Sequence, residues 1–108
     1  MLNITPWKVA QVVLMGRELS RAEGELRGFF DRLNDEEMIS LVAVMWIGRE
    51  SFEPEELAEA MRTARDEGTI PTADYLLGSP HLSDHLENGM DALGISLIEA
   101  EDDLMNRS

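Results

Sequence analysis

The apolar residues of this chain fall into short blocks with helical spacing, each fenced by residues that start or stop helices. Leu26, Phe29, Phe30 and Leu33 stand three and four positions apart, which places them on one helix face. Thr5-Pro6 combines an N-cap with proline at the first helical position, and predicts a helix over about 6–18 with Trp7, Val9, Ala10, Val12, Val13 and Leu14 inside. Ser20-Arg-Ala-Glu23 reads as a capping box that opens the next helix, which ends near Leu33. Asn34-Asp-Glu-Glu37 repeats that logic, with Leu33 and Met38 placed as a hydrophobic staple and three acids on the first turn against the helix dipole. The run from Met38 to Ile47 is apolar around almost the whole wheel. A buried strand competes for it, but the capping and the length favour a central buried helix over residues 35–48.

Beyond Gly48–Phe52, Pro54 starts a helix to about Glu67 with Leu57, Ala60, Met61 and Ala64 facing inward and Gly68 as its stop. Glu59 and Arg62 are spaced to pair on its outer side. Thr69–Thr72 reads as a turn, Thr72–Leu77 as one and a half helical turns closed by Gly78, and Ser79-Pro80 as a cap-plus-proline start for a helix to Leu93. Leu82, Leu86, Gly89, Met90 and Leu93 form the stripe of that helix, and Gly89 permits a close approach by a neighbour. Ser96–Glu99 caps a last short helix through Leu104. The expected fold class is all-α: one domain over residues 1–108, a compact bundle of five or six helices around the helix at 35–48, with a polar tail at 100–108.

Charge changes the picture more than composition does. The net charge of −13 disfavours direct binding to nucleic acid. From Asp66 onward Arg107 is the only strong base, so the acidity is concentrated late in the chain. Such a surface favours solubility, or else meets a basic partner or mimics a phosphate backbone. No run approaches the roughly 18 apolar residues of a membrane span, and the first residues lack the basic start and apolar core of a signal peptide. With no cysteine there is neither disulfide nor thiolate metal site, and a cytoplasmic protein is expected.

Chemistry has few places to reside. The sequence holds no cysteine nucleophile, no nucleophile elbow, no phosphate-cradling glycine loop and no His-Glu-x-x-His pair, so no enzymatic activity and no cofactor are expected. The one metal-like group is His81, Asp84 and His85, in which two imidazoles at i, i+4 share a helix face beside a carboxylate. Stable sites usually draw ligands from a second element, so two exposed histidines at the edge of the Leu82/Leu86 stripe is the stronger reading. Tyr75-Leu-Leu-Gly-Ser-Pro80 reads as a corner docked on the core. With Asp74, Tyr75, Ser79, His81 and His85 it is also the candidate interface or small-ligand corner. Trp7 and Trp46 read as core, with Trp7 an interface candidate if it is exposed.

Three blocks in order carry a resemblance. They are Phe30-Asp-Arg-Leu-Asn-Asp-Glu-Glu-Met-Ile-Ser-Leu-Val-Ala-Val-Met-Trp-Ile-Gly-Arg49, then Ala73-Asp-Tyr-Leu-Leu-Gly-Ser-Pro80, then Leu86-Glu-Asn-Gly-Met-Asp-Ala-Leu-Gly94. Over about Phe29–Gly94 the chain resembles the family of uncharacterised bacterial proteins labelled DUF3775. The resemblance implies a small helical bacterial protein and brings no activity with it. Family members often carry a longer acidic insertion before the Phe29 helix, which this chain lacks. The family pattern generally has an apolar residue and a tyrosine where this chain has His81 and His85, which weakens the metal reading. The function expected is a non-enzymatic protein-interaction module, with a protein partner or a second copy. A small-ligand or metal-binding protein using the Asp74–His85 corner is the alternative, and an acidic nucleic-acid mimic a more distant one.

Overall fold

Helix starts and close backbone contacts set the arrangement of this chain. A computed structural model describes residues 2–67 and 72–97. Among these residues every regular element is helical: α1 (Pro6–Arg17), α2 (Leu19–Asp31), α3 (Asp35–Gly48), a single 3-10 turn (Pro54–Glu56), α4 (Leu57–Asp66), α5 (Thr72–Leu77) and α6 (Leu82–Ala92). The protein is an all-α bundle around α3. From Ser40 to Ile47 every residue of α3 is buried, as its uniformly apolar wheel requires. Helices α4, α5 and α6 pack on α3, while α1 packs on α2 and α6 and α2 also meets α5.

The start of α3 follows the predicted chemistry. Asn34 Oδ1 accepts from the Glu37 backbone N–H at 2.8 Å, and Glu37 Oε1 accepts from the Asn34 N–H at 3.0 Å. Two donors left open by the helix geometry are thereby satisfied. Where α3 and α6 cross, glycines let the backbones touch. A Cβ on Gly48 would lie 1.7 Å from the His85 carbonyl oxygen, and one on Gly89 would lie 2.1 Å from the Val44 carbonyl oxygen.

Three helix starts differ from their sequence signals. α2 begins at Leu19, because the break from α1 is made by Glu18 alone (φ −114°, ψ 37°), and no side chain caps it. Ser20 therefore lies inside the first turn, and the Ser20–Glu23 box does not open the helix. Pro54 starts a 3-10 turn, whose box is made by Glu53 and Glu56, and the α-helical hydrogen bonding begins at Leu57. Ser79-Pro80 does not start α6. The Ser79 hydroxyl donates to the Tyr75 carbonyl at 2.8 Å, so it closes the end of α5. α6 starts at Leu82, after His81 turns the chain in the left-handed region (φ 58°). Its stripe of Leu82, Leu86, Gly89 and Met90 is buried as expected. The predicted stop at Gly68, the turn at 69–71 and most of the last helix and tail lie outside the described residues.

Candidate interaction surface

α1 gives the molecule its most unusual surface. At about 100° per residue, Val9, Ala10, Val12 and Val13 cover the side turned to the core, and all four are buried. Trp7, Gln11, Leu14 and Met15 fall on the other side by this spacing, with Met15 at its edge and also packed against the core. That side is polar on an ordinary surface helix, yet here three of the four residues are apolar. Leu14 is 44% exposed, the one exposed large hydrophobic side chain among the described residues. Trp7, Gln11 and Met15 are half-buried. Trp7 is thus not the core residue its type suggests. Its indole N–H is nonetheless buried, with no acceptor among the described residues.

The electrostatics leave this face uncharged. No acid lies between Pro6 and Arg17, in a chain of net charge −13. The two bases of α1 are drawn to its flanks. Lys8 Nζ donates to Glu37 Oε2 at 2.5 Å, and Arg17 pairs with Glu87 of α6. The Lys8 bond, and after it the bond from the Asn34 N–H, holds the Glu37 carboxyl below its ordinary value. Other bases are spent in the same way between helices. Arg27 bonds Asp74 at 2.7 Å, and Arg65 bonds Glu36 at 2.6 Å, which lowers the Glu36 carboxyl. Glu59 and Arg62 pair on the outside of α4 at 3.0 Å, as their spacing predicts.

The corner singled out in the sequence is divided between structural tasks and an open cleft. A cleft of about 340 Å³ is lined by Gly16 and Arg17 from the end of α1 and by residues 77–84, so it takes in Ser79, His81 and Asp84. Asp74, Tyr75 and His85 do not line it. Asp74 is tied to Arg27, and the Tyr75 hydroxyl accepts from Trp46 Nε1 at 2.8 Å, which locks the corner onto α3. Ser83, beneath the cleft, donates to the Val13 carbonyl at 2.8 Å and is buried against Gly16.

The histidines do not share a helix face, because His81 is the left-handed residue before α6 rather than part of it. Their rings meet edge to face at 6.4 Å, and His81 Nδ1 stands 4.0 Å from Asp84 Oδ2 with both side chains mostly exposed. His85 turns its Nδ1 into a buried position with no partner among the described residues. No group of three or more such ligand types is gathered for a metal ion among the described residues.

Residues 23–95 match the family described as "Protein of unknown function (DUF3775)". The chain belongs to this family. The matched segment runs from within α2 through α6 to Ile95, so it takes in the central helix, the Tyr75–Pro80 corner and the glycine crossing, while α1 lies before it. Comparison with curated proteins and with solved structures finds no match. No helix among the described residues is long and apolar enough to cross a membrane.

Gln11, Leu14 and Met15 were missed as surface residues. The signal for them was present: a helical wheel of residues 6–17 is apolar on both sides and carries no acid. That pattern predicts either a central position or a second face in want of cover, and α3 already holds the centre.

Proposed function

We propose that this DUF3775 domain is a non-enzymatic protein-interaction module and that it docks its partner on the outer face of α1. One observation carries the reading: Leu14 is 44% exposed on the side of α1 turned away from a core that Val9, Ala10, Val12 and Val13 already fill, with Trp7 and Met15 half-buried beside it. Apolar side chains kept at the surface on one helix stripe are the usual core of an interface, and Trp and Met are enriched there. Ionic pairing supports the same reading, since Lys8 and Arg17 are held at the flanks and leave the stripe neutral. A chain without cysteine suits a reducing compartment, and we place the module in the cytoplasm.

The test is native mass spectrometry on protein captured gently from its own cells, as wild type and as Leu14→Glu. Wild type is expected to carry added mass, either a whole multiple of the 12.1 kDa chain or another protein, and the variant to lose it. A bare wild-type chain, or a complex indifferent to the substitution, would overturn the proposal.

A further inference from the structure

The α1 face has a symmetry that narrows the choice of partner. Measured from Gln11, Trp7 lies four residues before and Met15 four residues after, with Lys8 and Leu14 at three before and three after. An antiparallel copy of the same helix, related by a two-fold axis through Gln11, therefore sets each Trp7 against the other chain's Met15. Each Leu14 then meets the aliphatic stem of the other chain's Lys8, whose ammonium is turned away to Glu37. The two glutamines meet at the axis, where amide can bond amide. Such self-complementarity is what a two-fold interface requires.

Charge points to the same pairing. Two copies of a −13 chain repel wherever carboxylates meet, and among the described helices α1 alone carries no Asp or Glu. The ends also match. α1 begins without a side-chain cap and without an acid in its own first turn. Glu18, seven residues beyond Gln11 and exposed at the other end, comes opposite residue 4 of the second copy, beside the positive end of that helix.

We propose that the occupant of the α1 face is a second copy of this chain, paired antiparallel through α1 about Gln11; the proposal rests on the interaction reading above. The 12 residues of α1 span about 18 Å. One such face covers less than the roughly 800 Å² per partner of a standard stable interface, so the dimer is a weak and reversible one.

Sedimentation equilibrium of the purified full chain from about 1 µM to about 1 mM tests this. The mass is expected to rise with concentration from 12.1 kDa towards twice that value. Leu14→Glu is expected to stay at the single-chain mass. Gln11→Glu, which sets two carboxylates across the axis, is expected to weaken the dimer at least tenfold; far-UV circular dichroism checks that both variants keep the fold. Because the chain has no cysteine, Gln11→Cys gives a further reading: under mild oxidation it is expected to cross-link faster than Ala58→Cys on the exposed side of α4. A wild-type mass that stays single throughout overturns the second copy. The interaction module would then stand or fall separately, by whether native capture finds a different protein that Leu14→Glu releases. A dimer indifferent to Leu14→Glu and Gln11→Glu, or equal cross-linking at positions 11 and 58, overturns the α1 pairing.

Discussion

Glycines that look alike in the sequence carry opposite meanings here, and the distance to the nearest backbone decides which. Gly48 and Gly89 sit where α3 and α6 touch, and a Cβ on either would overlap a carbonyl oxygen of the other helix. A backbone oxygen cannot step aside as a flexible side chain can. Gly89→Ala must therefore separate the helices and open the contact around Val44, Leu86 and Met90, and is expected to cost about 3 kcal/mol, the upper end of ordinary overpacking. Gly24, within α2, has nothing within 4 Å of its notional Cβ. Gly24→Ala is expected to stabilise by about 0.5–1 kcal/mol through helix propensity alone. Urea unfolding of the two variants beside wild type checks both signs. If Gly89→Ala proved as harmless as Gly24→Ala, the close crossing of α3 and α6 would be wrong.

At the scale of elements, α3 depends on its first turn, and that dependence has a pH signature. Glu37 serves two partners at once, the Asn34 N–H of the cap and Lys8 of α1, and its carboxyl is lowered from an ordinary value of 4.5. A carboxyl lowered on folding contributes stability that is present above its unfolded value and is lost as the pH falls through its folded value. The loss is thus expected to begin near pH 4.5 and to deepen below it, with Glu36 adding to the same window through Arg65. Glu37→Gln is expected to be less stable than wild type at pH 7, with a shallower fall in Tm between pH 5 and lower values; thermal unfolding across that range measures it. The capping box behind this prediction was legible in Asn34-Asp-Glu-Glu37, as were the central helix and the role of Gly89. The misplaced start of α6 has a local cause. Ser79-Pro80 has the composition of a cap, yet a short hydroxyl can serve the backbone on either side of it, and Ser79 bonds the Tyr75 carbonyl of the helix before it. The grouping of His81 with His85 failed with it, since it assumed a helix already running at His81. The face of α1 was hidden for a different reason: when both sides of a helix are apolar, periodicity cannot say which side the core will take.

For the whole molecule the governing quantity is the net charge of −13. Lys8, Arg17, Arg27 and Arg65 are engaged in pairs that tie one helix to another, so these four bases act as internal braces, while the excess of acids faces water. A body of net charge −13 repels its own kind over roughly a Debye length, about 30 Å at 0.01 M salt and about 8 Å at 0.15 M. Association through the neutral α1 face works against that repulsion, so added salt should help it. Association with a basic partner through the acidic surface would respond in the opposite sense, because screening weakens attraction between unlike charges. The dissociation constant of the wild-type dimer is expected to fall several-fold between 0.01 and 0.15 M sodium chloride and then to level off, as sedimentation equilibrium at each salt concentration would show. A constant that rises with salt would place the contact on the charged surface and take α1 out of it. The sign of the salt dependence therefore separates the neutral face of α1 from the acidic remainder without any substitution in the chain.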